Sequence, residues 1–179
     1  YAAQRTVDGA SLTLDPLADL PGDRLFTLTV SSNVADRSGN RIGSSTQRSF
    51  RTSLDTAAPT VSSAWPSMSA TAISPLVQPT FTFSESMDPA TVEAASLLFQ
   101  DEFGSVVPFA IEASPDQRTL RVRPTVTLQS NRRYTLAFLL GGAAATDVSG
   151  NALSATQART FTTGTDATAP TVVGSTPAD

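Results

Sequence analysis

Apolar and polar positions alternate along this chain in short bursts, and each burst reads as a half-buried β-strand. In "PTFTFS" (79–84), Phe81 and Phe83 share one face while Thr80 and Thr82 take the other. In "TLRVRP" (119–124), Leu120 and Val122 point inward and Arg121 and Arg123 outward. "SVVPFAIEA" (105–113), "RYTLAFL" (133–139) and "ARTFTT" (158–163) continue the series. Clusters of Pro, Gly, Asp and Asn interrupt the bursts about every eight to twelve residues, as turns between short strands do. A helical pattern is scarce. The best candidate is "MDPATVEAASLLF" (87–99), where Asp88 can cap and Pro89 suits the first helical position, followed by one or two turns. The pattern predicts an all-β fold, an antiparallel β-sandwich of about seven strands.

The same pattern occurs more than once. "VADRSGNRIG" (34–43) and "ATDVSGNALS" (145–154) both carry Asp-x-Ser-Gly-Asn, and Asp36 and Asp147 lie 111 positions apart (147 − 36). That offset also maps Phe50 onto Phe161, Pro59 onto Pro170, and "DTAAPTV" (55–61) onto "DATAPTV" (166–172). Upstream of the motif the offset is 108, laying "SLTLDPLADLPGDRLFTLTV" (11–30) over "TLRVRPTVTLQSNRRYTLAF" (119–138). A period as long as a domain signals an array of domains. Residues 1–54 read as the C-terminal part of one repeat, 57–164 as a complete repeat, and 165–179 as the start of a third, with linkers at 53–60 and 164–171. The expectation is a window cut from a longer tandem protein. The alternative is a subunit whose incomplete ends are completed by strands from a neighbouring chain, a homo-assembly.

Composition narrows the chemistry. The 179 residues are 40% apolar, with no Cys, no His and no Lys; all twelve basic residues are Arg. Disulfides, thiolate nucleophiles, Cys/His zinc sites, Ser-His-Asp triads and Schiff-base lysines are excluded, as is a Lys–Asn isopeptide cross-link. Carboxylates, hydroxyls, amides and Arg suit a scaffold better than an enzyme, and no catalytic residue is expected. A net charge of −4 gives no reason to expect nucleic acid as a partner. The longest apolar run, "LAFLLGGAAA" (136–145), falls short of the roughly 20 residues that cross a bilayer, so no transmembrane segment is expected in this window. The opening "YAAQRTVDG" has no Met and no signal-like segment, which places any export signal outside it.

The repeated motif has three readings. As a turn, Asp and Asn bond their own following backbone while Gly39 and Gly150 take positive φ, making Asn40, Asn151 and the glycines structural. As a calcium loop it is poor, with one carboxylate each and Arg37 inside the first copy. A catalytic reading belongs instead to Glu85 and Asp88, three residues apart at a strand end, which could serve as an acid/base pair; nothing else in the chain suggests a pocket, and Asp88 already has a capping role. Other low-ranked calcium candidates are the linker acids Asp55 and Asp166, together with Glu85 and Asp88 in "SESMDP"; an approach of Glu85 or Asp88 to Asp147 would strengthen that reading. No other cofactor is expected. Trp65, just past a linker, suits packing between domains or stacking on a sugar. Arg118, Arg121, Arg123, Arg132 and Arg133 suggest either a charged outer face or contact with anionic polysaccharide.

Leu128 precedes Tyr134 by six residues at a strand start, the spacing of a tyrosine corner; the partial copy has Leu20 and Phe26 there. Six pieces in order resemble the bacterial Ig-like domain of S-layer and other cell-surface proteins. They are "DTAAPTV", "PTFTFSESMDPATV", "RTLRVRP", "LQSNRRYTL", "TDVSGNAL" and "RTFTT". The resemblance implies an extracellular or cell-surface sandwich strung in tandem, partnered by neighbouring Ig-like repeats of its own chain. Such a module serves as stalk, filament or S-layer unit. The alternatives are an adhesin or carbohydrate-binding module, or an accessory domain of a secreted hydrolase.

Overall fold

The computed structural model describes residues 1–8, 10–92, 96–139, 144–154 and 157–165. Twelve strands are present among them. Four lie before the linker: β1 (Ala3–Asp8), β2 (Ser11–Pro16), β3 (Leu25–Val30) and β4 (Thr46–Arg51). Eight follow it: β5 (Val61–Trp65), β6 (Ala70–Ile73), β7 (Thr80–Phe83), β8 (Leu97–Asp101), β9 (Phe109–Ala113), β10 (Thr119–Pro124), β11 (Arg133–Phe138) and β12 (Ala158–Thr163).

The later eight make a sandwich of two four-stranded sheets, β5-β7-β10-β9 and β6-β12-β11-β8. Alternation explains how they close. Phe81 and Phe83 on β7, Leu120 and Val122 on β10, Phe99 on β8, Leu136 and Phe138 on β11 and Phe161 on β12 all face inward and are buried. Phe138 takes Phe81 edge-on at 5.0 Å and Phe83 at 5.7 Å, so one ring from the second sheet pins two from the first. Pairing is antiparallel except between β12 and β6, which run parallel with a register shift.

Two expectations need correcting. Of the helix expected over 87–99, both ends are built otherwise, and residues 93–95 lie outside the described residues: Met87 bridges to Asp147, residues 89–91 turn, and Leu97–Phe99 belong to β8. Asp88 does cap, its Oδ1 accepting from the Ala90 amide at 2.9 Å, but it caps a turn. "LLFQD" alternates buried and half-buried positions, and pairing with β11 overrides the helical preference of its leucines. The strand placed at 105–113 begins only at Phe109. The sandwich has eight strands, in keeping with the about seven expected, and β5 and β6 are short.

The earlier four strands form two separate hairpins, β1-β2 and β3-β4, in two two-stranded sheets. Their residues are almost all exposed. Phe26 stacks on Phe50 with ring centroids 5.6 Å apart, and Tyr1 meets Phe26 edge-on at 5.4 Å.

Candidate functional site: the junction at the linker

The two Asp-x-Ser-Gly-Asn segments fold alike. Asp147 Oδ1 accepts from the amides of Ser149 (2.7 Å) and Asn151 (2.8 Å), and Asn151 Nδ2 donates to Asp147 Oδ2 (2.8 Å). Asp36 Oδ1 accepts from Ser38 (2.9 Å) and Asn40 (2.8 Å), and Asn40 Nδ2 donates to Asp36 Oδ2 (2.9 Å). Gly39 and Gly150 sit at φ +84° and +93°, a region where a Cβ is disfavoured. Each motif therefore reverses the chain, between β3 and β4 and between β11 and β12. Their surroundings differ. Asp36 is exposed and Asp147 is buried.

Around Asp147 the linker and residues 1–54 meet the end of the sandwich. Asn151 Nδ2 also donates to the Asp55 carbonyl at 3.3 Å, and Ser149 Oγ donates to Asp55 Oδ2 at 3.2 Å. Ser149 Oγ in turn accepts from the Gly22 amide at 3.0 Å. Beside it, the Asp19 amide donates to Ser86 Oγ (2.9 Å) and the Ser86 amide to Asp19 Oδ2 (3.0 Å). Arg118 Nη2 spans both Asp19 oxygens at 2.9 and 2.7 Å, while its Nη1 donates to the Ser84 carbonyl at 2.7 Å. Gly22 is required by space: a Cβ there would lie 2.7 Å from the Asp55 nitrogen. A short loop, 19–22, is thus clamped between the linker and three segments of the sandwich.

The same place gathers acids. Carboxylate oxygens of Asp55, Glu85 and Asp147 lie within 4.8 Å of one another. Burial pushes the Glu85 carboxyl above its ordinary value, reinforced by the negative charges of Asp147 and Asp55, by contact with Asp147 and by Asp19. Asp19 moves the other way: burial raises its pKa, but bonds from Ser86 and Arg118 more than offset that and leave it lowered. Asp147 already accepts three hydrogen bonds, and Asp55 accepts from Ser149 and the Ala57 amide. Glu85 is the carboxyl in this group that a proton or a cation would serve most directly. Among the described residues, these three are the group that could hold a metal ion. Of the other acids proposed from sequence, Asp36 holds its own turn, Asp88 caps, and Asp166 lies outside the described residues.

Tyr134 is buried, and its hydroxyl accepts from the Gln129 amide at 2.8 Å. The arginines do not form one face. β10 and β11 belong to different sheets, so Arg121 and Arg123 sit apart from Arg132 and Arg133. Arg123 pairs with Glu112 at 3.1 Å, and Arg132 pairs with Asp101 at 2.8 Å while lying over Phe103. Trp65 is half-exposed on the edge strand β5. Sequence reasoning missed Asp19, Ser86, Gly22 and Ser149. One signal was present: the 108 offset pairs Asp19 with Thr127 and Gly22 with Ser130, so these two positions depart from the repeat.

Among solved structures, domains 1–6 of the surface layer protein SbsC are 22% identical over 60% of this chain and 14% of that one, with a TM-score of 0.46. PcoC, a methionine-rich copper resistance protein from Escherichia coli, is 17% identical over 60% of this chain and 99% of that one (TM-score 0.47). L,D-transpeptidase 1 of Mycobacterium tuberculosis is 17% identical over 59% and 39% respectively (TM-score 0.39). This chain therefore spans a small part of SbsC. No curated protein matches it. The sequence profile of the bacterial Ig-like domain matches residues 55–163, from the linker acid Asp55 to the end of β12. That stretch is more than half of the chain, is all-β and closes as a two-sheet sandwich; the chain belongs to the bacterial Ig-like domain family.

Proposed function

We propose that this chain is a non-catalytic structural module of a bacterial surface or secreted protein, in which Ig-like repeats follow one another in tandem. Residues 1–54 would be the C-terminal part of one repeat, 57–164 a complete one and 165–179 the start of a third. The matched turns at 36–40 and 147–151, and the shared positive φ of Asp23 and Asn131 at the 108 offset, support that division. The observation that carries the function is the clamp at the junction. Seven hydrogen bonds between named groups fasten loop 19–22 to Ser86, Arg118 and Ser149 and tie Ser149 and Asn151 to Asp55. A short linker bonded on both sides holds neighbouring modules at one angle, which is what a stalk or lattice unit needs. An adhesin or carbohydrate-binding role would rest on Trp65, a single half-exposed ring on an edge strand, and has less to support it.

The absence of cysteine makes the test clean. Spin labels on Gln47→Cys and Thr71→Cys report the placement of β4 relative to β6. A single narrow distance distribution is expected, widening when Arg118→Ala and Ser86→Ala are combined. A broad distribution in the otherwise unaltered chain would defeat the proposal.

A further inference from the structure

The two hairpins of residues 1–54 carry an apolar face whose counterpart in the sandwich is fully covered. With the 108 and 111 offsets, β2 corresponds to β10, β3 to β11 and β4 to β12, and the exposures diverge at matched positions. Leu12 is 48% exposed where Leu120 is 3%; Leu28 is 43% where Leu136 is 0%; Phe50 is 51% where Phe161 is 1%. Leu14, Val34 and Ile42 are likewise exposed where Val122, Ala145 and Leu153 are buried. Between the hairpins lies a cleft of about 640 Å³, lined in part by Leu12, Val34 and Ile42. In the sandwich, the matched strands have in-sheet partners, β7 beside β10, β8 beside β11 and β6 beside β12, and the two sheets so completed cover each other's inward faces. Among the described residues, β2, β3 and β4 have no strand on those sides.

We infer that this face is the seat of a segment bearing the pattern of β5–β8, residues 59–101, and that the complete sandwich dictates its register. This rests on the tandem reading above. Thr119, Leu120 and Arg121 pair with Thr82, Phe81 and Thr80. Ser11, Leu12 and Thr13 therefore take the equivalents of Thr82, Phe81 and Thr80, which sets two aromatic side chains of the β7-type strand into the cleft. Tyr134, Leu136 and Phe138 pair with Asp101, Phe99 and Leu97, so Phe26, Leu28 and Val30 take the corresponding positions of a β8-type strand. Phe161 pairs with Ala70, assigning a β6-type small residue to Phe50. A second copy of this chain is a poor donor. Its own Phe81 and Phe99 are fully buried, and releasing them would open its core. Each burial in the seat removes apolar surface from water at no such cost.

The test extends the full chain by placing residues 55–108 ahead of Tyr1, so that the β8-to-β9 connection leads into β1. Amide hydrogen exchange is read in β2 and β3, and disulfide formation between Thr13→Cys and Thr80→Cys of the added segment. Slowing of exchange in β2 and β3 by at least about 100-fold, with that cross-link formed, is the expected result. A control extension carrying Phe81→Ser and Phe83→Ser should give neither. Unchanged exchange with the unmodified extension overturns both this inference and the tandem reading. Protection with a cross-link only at another register leaves the tandem reading standing and overturns the assigned seat. Protection of β2 and β3 in the unextended chain, together with a dimeric mass, assigns the face to a second copy and overturns the inference.

Discussion

At the scale of single residues, one pair of positions shows how the two parts of the chain diverge chemically. Tyr134 keeps its hydroxyl because Gln129 offers an amide to it. At the matched positions, Phe26 has no hydroxyl and Pro21 has no N–H. Donor and acceptor are missing together, so neither is stranded. Tyr134→Phe should therefore cost about 1–2 kcal/mol in urea unfolding, because the Gln129 amide loses its partner in a part-buried place. Phe26→Tyr should return nothing, there being no amide to bond. The repeated turn offers a second contrast. Asp147→Ala strips acceptors from two amides and one side-chain amide at a buried site, and should lower sandwich stability by about 3 kcal/mol. Asp36→Ala removes the same three bonds in the open, and should leave the urea midpoint of the sandwich unmoved.

At the scale of elements, the loop 19–22 depends on one absent methyl group. Gly22→Ala would drive a Cβ into the backbone of Asp55, and nothing in a linker bonded to Asn151 and Ser149 gives way cheaply. The loop should lift away, breaking the Gly22–Ser149 bond and widening the spin-label distance distribution, while sandwich stability changes by less than about 0.5 kcal/mol. This element was not legible in the sequence, whereas the strands with clean alternation were. β7, β10 and β12 announce themselves because one face of each is more deeply buried than the other, and β11 does so apart from Ala137, which is buried on its outer face. β8 was misread because a leucine-rich run looks the same at the end of a helix and in a strand, and only pairing with β11 separates them. The Asp-x-Ser-Gly-Asn turns were legible because their bonds are local, closing within four residues. The clamp joins Asp19 to Arg118 across 99 positions, and no local pattern encodes such a meeting. Asp55, Glu85 and Asp147 were each visible as acids; their convergence required the fold.

At the scale of the whole molecule, the junction holds two carboxyls whose protonation pulls in opposite directions, and pH should tune how firmly residues 1–54 sit on the sandwich. Glu85 has a raised pKa, through burial first and then its acidic neighbours Asp147, Asp55 and Asp19. Its contribution is complete below its ordinary value of 4.5 and is lost as pH climbs through the elevated one, because ionising it adds charge to a place already negative. Asp19 has a lowered pKa, held there by Ser86 and Arg118 against its burial. Its contribution is complete above its ordinary value of 3.8 and is lost as pH falls through the depressed one, when the bidentate pair with Arg118 goes. The two limbs leave the junction firmest in mildly acidic solution, just above the range where Asp19 ionises and below that where Glu85 does. Spin-label distances followed from pH 3 to pH 8 should be narrowest there and broaden on both sides, with β4 and β6 keeping their own hairpin and sheet contacts. Glu85→Gln keeps the shape and the hydrogen-bonding capacity of the protonated carboxyl, so it should abolish the broadening above that window and leave the acid limb in place. Asp19→Asn should do the reverse, weakening the junction at neutral pH by removing the charge that Arg118 spans. If Glu85→Gln broadens the distribution at pH 8 instead, the ionised carboxylate is holding the junction together, and the assignment of repulsion to Glu85 is wrong.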